Sequence, residues 1–539
     1  MLPSSPEPLR NALNRLTFGA RDVDMQIVNA QGLAYWLNDQ FNVPTGDDPD
    51  LAAFIAGQTM HIEYAAPAPT DMRGTWSAVN EERPLNYLTA PTQVLFTVAR
   101  LTGSTYSGTE RNRIRQELLA ATWIRNTHSR YQLREFMADF WHNHFNIGKN
   151  ENDIATALLP LYDREAIRPY VFGDFRAMLE ANATSPSMLI YLDNWVSTAT
   201  TPNENYAREI MELHTLGGGN YLGVDLNSAP HTFGTDGVRS GFTDQDIVQA
   251  SRALSGWTIK YGQRFNNITQ PLTGEFTYSA AQHNTRAGAL LGIDVSGLTA
   301  DMAQGRRFLD MIAYHPGTAT FVVTKLCRRI FGDSPPQAAI DRGVAAWLAN
   351  KTAPDQIRKV IEAIALGGPE IYSGDRAKLR RPYERLIALA RTTNTVVNAS
   401  TTMTTVLDGM NDGLFAWPAP NGRPDVNEYW LATGANLTTW NLLLQFPAWV
   451  TNRTTLLDQT PIDGLVSALP LVEYWVGRLV GFALAAPTMT ALVADQGGSQ
   501  GVLAAVRAGM TTTAQINRIE TALRRLVSMI ATTEEFSYR

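Results

Sequence analysis

A single cysteine, Cys327, stands in a chain of 539 residues. One thiol excludes an intrachain disulfide framework, a CxxC redox pair and a cysteine-built zinc site. Lysine is almost as scarce, occurring only at Lys149, Lys260, Lys325, Lys351, Lys359 and Lys378, so positive charge rests mainly on arginine. We read that as a compositional bias rather than a binding signal. The net charge is -6 and no block of Lys or Arg follows the chain, so the stripe that tracks a phosphate backbone is missing and nucleic acid is not an expected partner. No apolar run reaches the roughly 18 residues that span a bilayer, and the opening MLPSSPEPLRNALNRLTFG lacks the apolar core of a secretory leader. Also absent are a GxSxG elbow, a GK[ST] phosphate loop, a strand-bounded dinucleotide fingerprint and HExxH. Serine hydrolase, P-loop enzyme and Rossmann dehydrogenase are therefore unsupported.

What is present is a folding composition: 44% hydrophobic and 18% charged residues place the chain among globular proteins and away from disorder. Its segments repeat mostly at helical spacing. RNRIRQELLAATWIRNTH, RYQLREFMADFWHNHF, NENYAREIMELHTLG, GRRFLDMIAYH, PGTATFVVTKLCRRIF and RRPYERLIALARTT each set apolar residues at i, i+3, i+4 and i+7. A mainly α fold follows, a large multi-helix assembly. Thr243 ahead of Asp246 reads as a capping-box start, and Pro316 suits a first helical position. GWTIKYG and GEFTYS alternate around a polar loop, which predicts one small hairpin near residues 255–279. Ala65 to Thr75, Ser197 to Asn203, Gly217 to Ser240 and Phe415 to Asp425 read as loops. The Thr-rich NASTTMTTVLDGMND from Asn398 suggests dividing the chain into a main helical body, 1–395, and a C-terminal helical region, 396–539, packed separately or into the same domain.

The segment DFWHNHFNIG, Asp139 to Gly148, holds two of only eight histidines. On a continuing helix His142 and His144 would diverge by about 200°. Either the helix from Tyr131 ends near Asn143 and the rings converge on one ion, or one ring faces a site and the other packs elsewhere. Gly148 and the asparagines favour a helix end here, and a histidine at a helix C-terminus is also stabilised simply by the dipole.

A second constellation is NENYAREIMELH, Asn203 to His214. Glu209 and Glu212 lie three apart on one helical face, as inward carboxylates do in di-metal bundles, whereas His214 falls two beyond Glu212 and off that face. The structural alternative is an Arg208–Glu212 ion pair at i, i+4, which leaves Glu209 between apolar neighbours, a costly setting unless it is paired or coordinated. His315 reads as a helix cap, His283 follows the hairpin, and His231, His61 and His128 read as solvent-facing.

These segments, with LNRLTFGA, FTDQDIVQASRALSGWT and HPGTATFVVTKLCRRIFGDSPP, occur in the order seen in the large bacterial family catalogued as domain of unknown function eighteen hundred, which the chain resembles from roughly Leu13 to Thr392. A weaker echo runs through FAWPAPNGRP toward LLLQF. The resemblance implies a bacterial, mostly helical protein, exported to the periplasm or outside the cell, with a leader removed and Met1 added. Its polar motif positions here are His142, His144, Asn205, Arg208, Glu209, Glu212, His214 and His315, and the family assigns them no role. Where the family commonly reads His-Asp followed by glycine and lysine, this chain has His283-Asn284 with Arg286 and Gly288, which weakens a ligand role for His283. The 217–240 loop is longer than expected and reads as a lid or an interaction surface.

Three readings stay open. The first is a metal-dependent oxidoreductase whose iron, manganese or copper is held by His142, His144, Glu209, Glu212 and His214, with Arg208 or Asn205 orienting the substrate. The second is a hydrolase of an extracellular polymer or ester at the same residues, in which zinc or manganese activates water and Glu209 or Glu212 is the base. The third is a non-catalytic exported helical scaffold or binding protein.

Overall fold

The computed structural model describes all residues except 1, 45, 69–73, 149–152, 228–229, 266–267, 401–405, 407–411, 450 and 453–454, and leaves the side chains of 265, 446–449, 451 and 452 undescribed. The fold is mainly α. The helical segments form where the apolar spacing places them: Gly108–His128, Gln132–His144, Ala303–Ala313, Pro316–Phe331 and Pro382–Thr392. Thr243 and Asp246 close a reciprocal capping box on Asp244–Ala253, and His315 caps Pro316–Phe331 by accepting the Gly317 amide at Nδ1, 2.8 Å away.

The hairpin is present as Trp257–Tyr261 against Leu272–Tyr278, antiparallel, with Trp257 opposite Tyr278 and a bulge after Ile259. The other ladders among the described residues are likewise two-stranded and antiparallel. The longest pairs Thr59–Tyr64 with Val79–Pro84, where Met60 and Ile62 point inward and their neighbours outward. That alternation in TMHIEY is a strand signal the helical reading passed over.

One contiguous apolar core runs from Ala12 to Phe536. Residues on both sides of position 395 contribute to it and to each other's hydrogen bonding. Thr433–Trp449 packs on Pro382–Thr392 and on Thr513–Ala531. Asp412 accepts the Tyr383 amide at 2.9 Å, and Arg539 exchanges backbone hydrogen bonds with Lys378 at 2.9 and 3.3 Å. Most of the Thr-rich stretch after Asn398 lies outside the described residues. The end of the 217–240 loop is fastened: the Arg239 amide donates to the Leu291 carbonyl, its carbonyl accepts from His315 Nε2, and its guanidinium pairs with Asp246.

Candidate functional site

The Gln132–His144 helix continues through both histidines and ends at Phe145, whose amide still bonds to the Trp141 carbonyl at 2.9 Å. The helix end expected near Asn143 falls after His144, too late for the two rings to converge, and they diverge as a continuing helix requires. His142 and His144 take different partners, while Asp139 and Asn143 share Arg423.

Asp139 accepts from Arg423 Nη2 at 3.1 Å through one oxygen, and from Arg329 Nη2 at 3.0 Å and Arg381 Nη2 at 2.5 Å through the other. Burial alone would raise its carboxyl, but the guanidiniums, Arg381 foremost, hold it below the ordinary range. Glu384, Asp412 and Arg539 extend this cluster: Arg329 pairs with Glu384, Arg423 with Asp412 at 3.2 Å, and Arg539 lies 3.6 Å from Glu384. His142 Nε2 meets Asp163 Oδ1 at 2.8 Å, and Arg168 Nε donates to the other oxygen at 2.8 Å. Its ring stands edge-on to Phe415 at 4.8 Å beside a cavity of about 20 Å³, room for one water.

His144 lies on the other side of the helix. Its Nε2 is 3.0 Å from the His214 carbonyl oxygen, and its Nδ1 is 3.0 Å from Lys325 Nζ. A carbonyl only accepts, so Nε2 carries the proton and Nδ1 presents a lone pair to the lysine. Burial first, and Lys325 second, push the imidazole well below its ordinary pKa, which keeps it neutral. Burial likewise drives Lys325 down to about 8, with Asp425 opposing and Arg328 adding to the effect.

The two asparagines hold a strap. Asn143 Oδ1 accepts the Arg423 amide at 2.7 Å while its Nδ2 donates to the Arg423 carbonyl at 3.1 Å. Asn146 Nδ2 donates to the carbonyls of Trp417 at 3.0 Å and Ala419 at 2.7 Å. Segment 421–426 of the strap, the 132–144 helix and the 316–331 helix enclose a cavity of about 360 Å³. His144, Lys325, Arg328, Arg329, Arg381 and Arg423 border it, opposed among the described residues by two carboxylates, Asp139 and Asp425. Asp425 is already paired with Lys378 at 2.6 Å.

The second constellation folds differently from an ideal helix. Glu204–Glu209 passes into a π-helical turn, Ile210–His214, whose extra residue breaks the simple i, i+3 and i, i+4 relations. His214 is turned inward, buried, with Nε2 lacking a hydrogen-bond partner among the described residues, and burial pushes it down to about 3, Lys325 contributing. Arg208 pairs with Asp244 at 3.2 Å, and no Arg208–Glu212 pair is seen among the described residues. Glu209 is half-buried, its carboxyl raised by burial and by Glu212, with Arg208 opposing. Asn205 is exposed and donates to the Leu192 carbonyl at 3.3 Å.

Thus the expected five-residue metal set is not assembled. His142 belongs to Asp163, His144 has both ring nitrogens engaged, and Glu209 and Glu212 border neither the 360 Å³ cavity nor the small one beside His142. Among the described residues no three His, Cys, Asp or Glu side chains come within reach of one ion. The donors therefore do not fit iron, manganese, copper or zinc as a shared centre. Arg208 and Asn205 likewise stand away from the cavity. Of the other histidines, His283 uses Nδ1 on the Ser255 carbonyl and Nε2 on Gln304, and His61 is exposed beside Glu63 and Glu82. His128, expected in solvent, is half-buried against Phe54 and accepts the Val397 amide. His231 is half-buried beside Phe233.

Sequence reasoning missed Lys325, Arg328, Arg381, Arg423 and Asp163. A signal existed for the first: in PGTATFVVTKLCRRIF a lysine and an arginine occupy positions at i+3 and i+4 from core residues, where an amphipathic helix would place apolar groups.

A family model described as protein of unknown function, DUF1800, matches residues 11–538 and so includes the region after Thr392 that carries the strap. No curated protein and no solved structure matches the chain. With nearly its whole length inside that match, this chain belongs to the DUF1800 family of proteins of unknown function.

Proposed function

We propose that the protein binds a small organic anion, carrying a carboxylate or phosphate group, in the cavity between the 132–144 helix, the 316–331 helix and the strap. One observation carries this reading: Lys325 and Arg328 border the same cavity, and among the described residues neither has a carboxylate in salt-bridge contact, the Asp425 that acts on Lys325 being paired with Lys378. Cations withdrawn from water without a counter-charge are costly. An incoming anion would supply that charge. The contrast within the chain supports the argument, because the buried Lys378 is tied to Asp425, whereas the half-buried Lys325 and Arg328 have no such tie among the described residues. The volume, about 360 Å³, suits a small ligand, such sites spanning roughly 300–1,000 Å³. Arg423, Arg381 and Arg329 are held in place by Asp139, so the wall is ordered before a ligand arrives.

The test is saturable thermal stabilisation by inorganic phosphate, succinate and pyruvate, set against neutral glycerol and cationic ethanolamine at constant ionic strength. Stabilisation by at least one anion, lost in the Lys325→Met/Arg328→Met double variant, supports the reading. No saturable effect from any anion, or an undiminished effect in the double variant, overturns it.

A further inference from the structure

We propose that Lys325 is a nucleophilic amine that condenses with a carbonyl on the bound anion, so that the ligand class is a 2-oxo acid or an aldehyde acid. This rests on the anion-binding reading of the same cavity. The geometry that carries it is a chain of three groups: the His214 carbonyl accepts from His144 Nε2, and His144 Nδ1 then accepts from Lys325 Nζ, each link 3.0 Å long. A nucleophile, a base in hydrogen-bond contact with it and a third group that orients the base are the parts nucleophilic catalysis uses. The orienting carbonyl belongs to the last residue of the π-helical turn, a backbone irregularity typical of functional positions.

A lysine serving only structure would be expected to meet a carboxylate, as Lys378 meets Asp425. Lys325 meets a neutral imidazole instead, with its Nζ over the Phe321 ring at 5.4 Å and the side chain bordering the cavity. Arg328, three residues on along the same helix, also borders the cavity, so an acid group held there would place an adjacent carbonyl carbon toward the amine. Desolvation of the ammonium favours the free amine, the form that attacks.

The step balances without an external reagent. The nitrogen lone pair forms the C–N bond as the carbonyl π pair moves to oxygen. His144 Nδ1 takes the proton released by nitrogen and returns it to that oxygen, giving a carbinolamine. Solvent then returns to the carbinolamine hydroxyl the proton that the Lys325 ammonium gave up on becoming the free amine, and cleavage of the C–O bond expels water and leaves a protonated imine. Nothing is oxidised or reduced.

Six lysines make the test clean. The full chain is incubated with pyruvate, glyoxylate, 2-oxoglutarate or succinic semialdehyde, reduced with cyanoborohydride, digested and mapped by mass. The expected result is a single secondary-amine adduct on Lys325 with at least one probe. Adduct formation should rise with pH around 8, near neutrality rather than at the alkalinity an exposed lysine needs. His144→Gln should slow trapping by roughly 100-fold. Labelling of Lys325 no faster than the exposed Lys351 overturns the proposal, as does an absence of adduct with all four probes. If phosphate or succinate still stabilises the protein in that event, the anion site stands and the covalent step fails; if they do not, both fail.

Discussion

Asn143 and Arg423, 280 residues apart, are joined by two opposed hydrogen bonds, from the Arg423 amide to Oδ1 at 2.7 Å and from Nδ2 to the Arg423 carbonyl at 3.1 Å. The side-chain amide stands in for a neighbouring strand, giving one backbone unit both a donor and an acceptor. It also sets the Arg423 guanidinium between Asp139 and Asp412. The strap's register on the helix end therefore decides whether the Arg423 guanidinium joins the cavity wall.

Asn143→Ala should leave that backbone unit without partners and cost about 1–3 kcal/mol. The denaturation midpoint should fall, and chymotrypsin should cleave after Phe415 faster than in the parent protein. Unchanged cleavage with a lowered midpoint would show that the asparagine stabilises the helix end without holding the strap.

Two glycines make the same contact possible by having no side chain. A Cβ on Gly148 would lie 1.5 Å from the Trp417 carbonyl oxygen, and one on Gly422 would lie 2.1 Å from the Asn143 carbonyl oxygen at a φ of +75°. Both obstacles are backbone and have no rotamer escape. Gly148→Ala and Gly422→Ala should each displace the strap and abolish anion stabilisation. Gly219→Ala, which meets nothing within 4 Å, should behave as the parent does. Thermal shift with phosphate measures all three.

The helices were legible in the sequence because periodicity reports directly which face is buried, and the caps at Thr243 and His315 were legible because they are local. The candidate site was legible only in half. DFWHNHFNIG drew attention, but the meaning of each residue lies in partners 21 to 284 positions away: Asp163 for His142, Lys325 for His144, Arg423 for Asp139 and Asn143. No spacing rule reaches so far. The π-helical turn was illegible for a different reason. One inserted residue leaves composition and apparent periodicity almost unchanged while turning His214 inward and separating Arg208 from Glu212. Lys325 was passed over because a lone lysine in a helical pattern normally reaches water.

Among the described residues Asp139 is the carboxylate that Arg329, Arg381 and Arg423 all share. Removing a partner from a buried charge cluster costs more than the cluster contributes, because the remaining ions stay desolvated. Asp139→Ala should lose about 3–5 kcal/mol, while Glu275→Gln, which breaks the exposed pair with Lys260, should change stability by less than about 1 kcal/mol. Urea denaturation of both variants, read at neutral pH, checks the contrast. Equal effects would mean that Glu384 and Asp412 suffice to neutralise the three arginines.

His144 and His214 together predict how stability answers to acid. Both have folded-state pKa values below the ordinary 6.5, His214 at about 3, with burial as the first cause and Lys325 contributing to each. As pH falls below 6.5 the unfolded chain takes up protons at these rings and the folded protein does not, so stability falls with falling pH down to the folded-state values. Each histidine adds up to about 1.4 kcal/mol per pH unit to that slope. Between pH 6.5 and 5 the effect is separable from the carboxylates of Asp139 and Glu384, which are held below their ordinary range and respond to stronger acid. Glu117, whose carboxyl burial raises to about 7, takes up a proton in the folded state over the same interval and opposes that slope, so the check is the difference between two proteins: in urea titrations His214→Phe should lose one proton's worth of the acid-side destabilisation that the parent shows. A slope unchanged by His214→Phe would mean that His214 is protonated in the folded state, which would place a second cation beside Lys325 and remove the reason for its depressed pKa to favour a free amine over a paired one.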